Sequence, residues 1–280
     1  MEAHARRRPG ADLIREMNET RVPYGMVALW FLGQESIVVK GGETIIYIDP
    51  YLAVNERRAF LPPLRPMEIT NATCCLITHE HRDHLDPETI PGIARNSPDT
   101  LFMAPGPCRN QMLQLGVKPR MLIDAKTDEW WNGPGVRIKP IPAAHEELVF
   151  DPETGHRYVG YIMDLNGVTI YHAGDTIVYP GLIERLKEEK IDLGMLPING
   201  RDAFRTANNI IGNLNYREAV ELAVASGMET IIPLHYDMFA GNSEKPGYFL
   251  DYLYERYPWQ KSHVMARFER FFYVSAKFKS

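Results

Sequence analysis

The segment TCCLITHEHRDH, residues 73–84, joins a short apolar run to a dense cluster of metal-binding side chains. The apolar run predicts a buried β-strand, and three histidines and an aspartate follow it within six positions. Because alternate side chains of an extended segment point to the same face, His79 and His81 can reach one metal ion. Asp83 and His84 follow as the chain turns away, toward a second position. Imidazole and carboxylate suit Zn²⁺, Mn²⁺ or Fe²⁺, and the alternative is a solvated polar turn.

The composition is that of a folded and mildly acidic protein. The chain has 280 residues, of which 45% are hydrophobic and 24% are charged, as is usual for a globular protein with a large core. No repeat or linker divides the sequence, so we expect a single domain over residues 1–280, with residues 1–10 as a flexible tail. The net charge of −5 gives no overall basic field, so we expect no extended nucleic acid partner.

Cysteine usage and hydropathy indicate the compartment. Three cysteines, an odd number without framework spacing, argue against a disulfide scaffold and are typical of the reducing cytoplasm. Every apolar run is shorter than the ~20 residues of a membrane-spanning helix, and no signal peptide follows the arginines near the start. We therefore expect a cytoplasmic protein without a membrane partner.

Hydrophobic periodicity and turn residues predict many strands with helices scattered among them. A capping pair, Asn215 and Glu218, predicts the start of one helix. Asp86 predicts another helix start, which Pro91 and Gly92 should cut short or kink. Further helices are predicted over residues 11–20, 108–115 and 182–190. Strands are predicted over residues 27–32, 36–40, 44–48, 73–78, 101–104, 121–123, 136–139, 158–164, 168–172, 191–198 and 230–234, with a last one near the C-terminus. This order favours a mixed α/β or α+β sandwich.

Four apolar runs share one property, which is that a potential metal ligand follows each of them. These ligands are His79, His145, Asp175 and His235. Burying an ionisable group at a rigid strand end costs several kcal/mol unless a metal or a partner compensates. Two such histidines alone would suit satisfied core residues, but four strand-end ligands together with the local cluster favour a metal site.

Counting the candidates gives two sets of three ligands with one carboxylate left over. A carboxylate has two oxygens and can bridge two ions. Each ion then keeps room for water, as in the open arrangement of catalytic sites. The expected sets are His79, His81 and His145 for one ion, Asp83, His84 and His235 for the other, and Asp175 as the bridge.

The order His-x-His-x-Asp-His, followed by His, Asp and His, resembles the metallo-β-lactamase superfamily over most of the chain. The resemblance implies an α+β fold, a four-layer αββα sandwich with a binuclear centre at one edge. It also implies two divalent metal ions, Zn or Mn, held by the same seven residues, so that the single domain would be a metallo-hydrolase domain.

A narrower resemblance concerns the substrate. Several segments are similar to those of L-ascorbate-6-phosphate lactonases, a group described as manganese-using that hydrolyses a phosphorylated sugar lactone. The segments are Leu29–Gly33, Thr78–Asp86, Tyr171–Thr176 and Ile232–Asp237. The resemblance thus implies a small, phosphorylated substrate.

The expected chemistry is hydrolysis by a hydroxide bound to two metal ions, acting on a lactone or another ester of a phosphorylated sugar. Two metals lower the pKa of a shared water to about 7 and stabilise the developing oxyanion. We expect Asp83, Asp175 and His235 as catalytic residues. The general acid is left open among Asp83, Asp175 and Asp237.

Residues that bind the substrate are predicted mainly from the polar segment after residue 198. Arg201 and Arg205 can hold a phosphate by bidentate hydrogen bonds, and the alternative is a polar surface loop. Tyr236 follows a predicted ligand and either reaches the substrate or packs in the core.

Two other functions fit the same ligands. The same hydroxide would serve a phosphodiesterase acting on small phosphate diesters. A non-catalytic metal-binding sensor is the alternative outside enzymes, because some folds keep a site and lose its chemistry. A homo-oligomer is compatible with general trends among soluble proteins.

Overall fold

The computed structural model describes residues 10–278, which form two large β-sheets and their helices. Within these residues the strands, in chain order, are β1 (Met26–Gly33), β2 (Ser36–Gly41), β3 (Thr44–Ile48), β4 (Cys74–Leu76), β5 (Leu101–Ala104), β6 (Leu122–Asp124), β7 (Trp131–Gly133), β8 (Val136–Pro142), β9 (Phe150–Asp151), β10 (Gly155–His156), β11 (Val159–Leu165), β12 (Val168–His172), β13 (Leu193–Pro197), β14 (Thr230–Leu234), β15 (Lys261–Ser262) and β16 (Arg270–Val274). The α-helices are α1 (Gly10–Glu19), α2 (Thr89–Asn96), α3 (Arg109–Gln114), α4 (Leu182–Glu189), α5 (Ala203–Ala207), α6 (Tyr216–Ser226) and α7 (Pro246–Arg256).

Each large sheet has seven strands and combines antiparallel and parallel pairs. The first sheet runs in the order β16-β1-β2-β3-β4-β5-β6, with parallel pairing from β3 to β6. The second runs in the order β15-β14-β13-β12-β11-β8-β7, with parallel pairing from β12 to β15. Because β8 and β12 are both antiparallel to β11, the C-terminal ends of β8, β12 and β14 lie at one edge.

The sheets pack face to face, with helices outside each of them. Strand β1 is buried on both faces, and its side chains alternate between two cores as the period of a strand requires. Leu29 and Phe31 belong to the core between the sheets, whereas Trp30 packs outward against α1, α2 and α3. On the other side α4, α6 and α7 cover the second sheet. The result is a mixed fold of four layers, as the resemblance to the superfamily implies.

Most predicted elements are present, and the differences have local causes. Helix α2 continues through Pro91 and Gly92 to Asn96, so the expected break is wrong. Pro91 lies in the first turn, where its missing N–H has no helical partner to lose. Asp86 does act near the helix start, because its carboxylate accepts the Glu88 N–H at 3.0 Å.

The expected tail of residues 1–10 lies mostly outside the described residues. Of these ten residues Gly10 alone is described, and it begins α1. Within residues 10–278, every helix is too short or too polar to cross a lipid bilayer. The cysteines Cys74, Cys75 and Cys108 are all free and buried.

Candidate metal centre

Strand ends bring the predicted ligands together between the two sheets. The cluster of residues 79–84 follows β4 in the first sheet and turns tightly, since the N–H groups of His84 and Leu85 both bond to the His81 carbonyl. His145, Asp175 and His235 follow β8, β12 and β14 at one edge of the second sheet. The seven predicted ligands form three overlapping groups of three residues, and within each group the donor atoms lie within 4.8 Å of one another.

The first group consists of His79, His81 and His145. His79 Nε2 lies 2.9 Å from His81 Nδ1, and the rings of His81 and His145 are 5.2 Å apart. The residue before His145 is held on both sides: the Ala144 N–H donates to the Thr176 hydroxyl at 3.1 Å, and the Ala144 carbonyl accepts from the Ile177 N–H at 2.9 Å. Three nitrogens therefore surround one point.

The second group consists of Asp83, His84 and His235. Asp83 Oδ2 lies 3.8 Å from His84 Nε2 and 4.0 Å from His235 Nε2. His235 adopts a left-handed backbone conformation, with φ of 57°, directly after β14. This turn aims its ring back toward the cluster of the other sheet.

Asp175 lies between the two groups and faces both. Its Oδ1 is 3.4 Å from Nε2 of His84 and 3.4 Å from Nε2 of His235. Its Oδ2 is 3.4 Å from His145 Nε2. One oxygen thus points to each group, which is the arrangement expected of a bridging carboxylate.

The chemistry of the buried ligand atoms suits divalent metal ions. His84 Nε2 and Asp175 Oδ1 are buried and have no hydrogen-bond partner within residues 10–278. Unpartnered polar atoms are costly to bury, and here they face a common space lined by imidazole nitrogens. Five histidines and two aspartates provide nitrogen-rich sites that Zn²⁺ or Mn²⁺ accepts.

A buried carboxylate behind the centre orients two of the imidazoles. Asp49 Oδ2 accepts a hydrogen bond from His84 Nδ1 at 2.7 Å and another from the Thr78 hydroxyl at 2.6 Å. The Thr78 oxygen in turn accepts from His79 Nδ1 at 3.0 Å. These bonds fix the ring proton on Nδ1, so that Nε2 of each ring is directed at the centre.

The protonation of three buried ligands, His79, His145 and Asp175, favours metal binding, whereas His84 must lose a proton, because the carboxylates of Asp175 and Asp49 outweigh burial and raise its pKa well above the usual value. Burial lowers the pKa of His145 to about 4 and that of His79 well below its usual value. Burial opposes the ionisation of Asp175, but the imidazoles of His235 and His84 hold its pKa well below the usual range. At neutral pH two imidazoles are therefore neutral and the bridge is ionised, which are the forms that bind a metal ion.

Sequence reasoning missed two residues of the site, Asp49 and Gln34. Asp49 follows the apolar run of β3, so the strand-end signal that found the ligands could also have found it. Gln34 occupies the turn between β1 and β2, and its amide nitrogen lies 3.1 Å from Asp83 Oδ2. Nothing in the sequence around Gln34 marks that contact, since it depends on how the turn meets the rest of the fold.

Comparison with known proteins agrees with this geometry. Residues 44–236 match the family described as the Beta-lactamase superfamily domain, a range that includes all the predicted ligands. The chain belongs to the metallo-β-lactamase superfamily. A UPF0173 metal-dependent hydrolase of Thermococcus kodakarensis is 31% identical over 230 residues, covering 80% of this chain and 91% of that protein. A similar hydrolase of Pyrococcus horikoshii is 30% identical over 230 residues, with the same two coverages of 80% and 91%.

A solved structure shows the same superfamily fold. Igni18, a metallo hydrolase from Ignicoccus hospitalis, aligns with a TM-score of 0.68 at 21% identity. The alignment covers 89% of this chain and 98% of that chain. At this identity the likeness concerns the fold alone.

In this metallo-β-lactamase superfamily member, a cleft of about 1040 Å³ opens beside Asp83. Phe239 and Ile210 give it an apolar wall, and Arg57 and Arg82 give it two guanidinium groups. Arg82 is 69% exposed and lies 3.5 Å from Glu88, a loose contact that leaves much of its charge available.

The three predicted substrate contacts lie among protein partners. Arg201 makes two contacts of 2.6 Å to Glu218. Arg205 pairs with Asp202 and donates to the Ser243 carbonyl at 2.8 Å. Tyr236 is buried, and its hydroxyl donates to the Met265 carbonyl at 3.3 Å, which favours the packing alternative. Their role in substrate binding stays a prediction.

Proposed function

We propose that this metal-dependent hydrolase cleaves an ester bond with two divalent ions, Zn²⁺ or Mn²⁺, and that its favoured substrate is a lactone of a phosphorylated sugar. The observation that carries the proposal is Asp175, whose two oxygens each face one of two ligand groups. Ions bound there supply Lewis-acid chemistry and lower the pKa of water to about 7. Each group keeps only three protein ligands besides the bridge, so space remains for water and substrate.

Asp83 is the carboxylate best placed to transfer a proton to the leaving oxygen. Its side chain is 27% exposed and lines the cleft, whereas those of Asp175 and Asp237 are only 5% and 8% exposed. Asp237 is also engaged by Arg267 at 3.1 Å. We therefore assign proton transfer to Asp83, which would accept the proton that the attacking water loses and pass it to the leaving oxygen, while Asp175 contributes its negative charge to both ion positions.

The cleft supports an anionic substrate of modest size. Arg57 and Arg82 both line it, and guanidinium groups suit a phosphate because their paired N–H donors match its oxygens. Arg201 and Arg205 are held by acidic partners instead. The similarity of the segments around the ligands to L-ascorbate-6-phosphate lactonases supports a sugar lactone as the reacting group.

The test combines metal analysis with a substrate panel. We expect about two transition metal ions per chain and a loss of hydrolysis of about 100-fold or more for Asp175→Ala and His235→Ala. Asp99→Ala, a change at an exposed aspartate, serves as the control. A single tightly bound ion together with unchanged turnover in both variants would contradict the proposal.

The same panel decides between substrate classes. It contains a phosphorylated sugar lactone, its unphosphorylated form, a linear aryl ester and a bis-aryl phosphate. Preference for the bis-aryl phosphate would favour the phosphodiesterase, for which the two cleft arginines offer the same support. Metal binding without turnover of any of these compounds would favour the sensor.

A further inference from the structure

Gln34 enters the candidate centre from the turn between β1 and β2. It is fully buried, with 0% exposure. Its Nε2 donates to Asp83 Oδ2 at 3.1 Å and lies 3.0 Å from His235 Nε2. One amide group thus contacts two candidate ligands of the same group, although these are far apart in the sequence.

The turn that carries Gln34 is fixed to the loop after β14. Gln34 has a left-handed backbone with φ of 60°, a conformation that a non-glycine residue adopts only when its surroundings hold it. Its carbonyl accepts the His235 N–H at 2.9 Å, and its N–H donates to Asp237 Oδ1 at 3.1 Å. Arg267 holds the other oxygen of Asp237 at 3.1 Å. These bonds fix the backbone of Gln34 beside His235 and so keep its side-chain amide within reach of the candidate centre.

The ring of His235 lacks the support at Nδ1 that the rings of His84 and His79 have. Nδ1 of His84 is held by Asp49, and Nδ1 of His79 by Thr78. Nδ1 of His235 is buried and has no hydrogen-bond partner within residues 10–278. The Gln34 amide lies 3.0 Å from the metal-facing nitrogen of His235, nearer than Asp175 Oδ1 at 3.4 Å.

We propose that Gln34 is a positioning residue for the ion of the Asp83, His84 and His235 group. It holds Asp83 and His235 in place before the ion binds, and it releases His235 when the ion arrives. An imidazole nitrogen has one lone pair, so the Gln34 N–H and an ion cannot both use Nε2 of His235. The bond to Asp83 can persist, because a carboxylate oxygen has more than one acceptor site. This inference rests on the proposed binding of two ions.

After release, the amide offers two groups to the centre. The second N–H no longer has an acceptor, and Oε1 is already buried without a hydrogen-bond partner. Both are then available to hydrogen-bond a water molecule or a polar group of a substrate. Binding of the ion to the Asp83, His84 and His235 group would therefore free the Gln34 amide to form other hydrogen bonds in the centre.

The experiment is a site-resolved metal titration of the metal-free protein. Co²⁺ is added to wild type, Gln34→Ala, Gln34→Met and the control Gln114→Ala, an exposed glutamine. Visible absorption and metal analysis follow each binding step, and the step lost in His235→Ala identifies the ion of the Asp83, His84 and His235 group. We expect that step to weaken about 10–100-fold in both Gln34 variants, because both remove the bond that orients Asp83 and that persists when the ion is bound. The other step and the control should be unchanged.

Gln34→Met separates hydrogen bonding from packing, because it keeps the length of the side chain and removes its donors. Equal weakening in Gln34→Met and Gln34→Ala supports the proposal. Weakening in Gln34→Ala alone identifies Gln34 as a packing residue and overturns it, as do unchanged titrations in both variants or equal weakening of both steps. A wild-type chain that binds one ion overturns this inference and the binuclear proposal together. Two bound ions without ester hydrolysis overturn only the proposed substrate.

Discussion

Replacing Asp49 with asparagine removes one oxygen from beneath the candidate centre and leaves the shape unchanged. Asp49 Oδ1 accepts the Thr78 N–H at 2.8 Å, and the asparagine oxygen can keep that bond. Oδ2 accepts from His84 Nδ1 at 2.7 Å and from the Thr78 hydroxyl at 2.6 Å, and the new NH₂ group cannot accept either bond. Instead the NH₂ donates to His84 Nδ1, which moves the ring proton to the metal-facing Nε2.

The size of the effect follows from the bonds that are lost. Hydrogen bonds to a charged group contribute about 1.5–3 kcal/mol each, so two lost bonds give about 3–6 kcal/mol. Part of this returns, because the amide carries no charge that must be desolvated. We expect the free energy of unfolding of the metal-free protein to fall by about 2–4 kcal/mol. The affinity for the ion at His84 should fall about 10–100-fold, or about 1.4–2.7 kcal/mol.

Two measurements check these values. Urea unfolding in the presence of a chelator gives the stability of the metal-free protein, and calorimetric metal titration gives the affinity. Asp99→Asn, at an exposed position, is the matched control. A variant that unfolds earlier but binds both ions like wild type would refute the argument, because the orientation of His84 would then not depend on Asp49.

Three further outcomes follow from local contacts elsewhere. Glu218→Ala removes the reciprocal cap at the start of α6 and the partner of Arg201, so the free energy of unfolding should fall by about 1–2 kcal/mol, and an unchanged urea midpoint would contradict this. Gly160→Ala places a Cβ 2.8 Å from two backbone carbonyl oxygens that cannot move aside and should cost about 1–3 kcal/mol, whereas Gly247→Ala meets no heavy atom within 4 Å and should not destabilise the protein. Burial raises the pKa of the cysteine thiols, to about 12 for Cys74, so an aromatic disulfide reagent at pH 8 should label no thiol of the native protein and all three after denaturation. Rapid labelling of the native form would show that a cysteine is accessible.

The fold and the ligand groups could be predicted because their signals are local. An apolar run followed by histidine or aspartate marks a strand and its end, and four such ends meet wherever the strands share an edge. The spacing of residues 79–84 adds a cluster that needs no tertiary information. Counting the candidate ligands left Asp175 as a bridge, and the structure places Asp175 between the two ligand groups.

The residues that sequence reasoning missed depend on contacts between distant segments. Asp49 meets His84 because β3 and β4 pair in parallel, and that pairing cannot be read from the sequence of either strand. Gln34 becomes part of the site only when the turn after β1 docks on His235. Arg201 shows the same limit, because its partner Glu218 is supplied by the start of α6. In each case the type of side chain is visible in the sequence and its partner is not.

The hydroxyl of Tyr161 donates to the Ile77 carbonyl at 2.6 Å, and this bond ties the second sheet to the segment that leads into His79. Residues 79–84 follow a strand of the first sheet, and His145, Asp175 and His235 follow strands of the second. A cation bound by ligands from both would therefore cross-link the two sheets. Any substitution that lets the two sheets shift against each other would change the distances between the ligand atoms without replacing a ligand. On heating, we therefore expect the cation to dissociate at a lower temperature than that at which the β-sheets unfold.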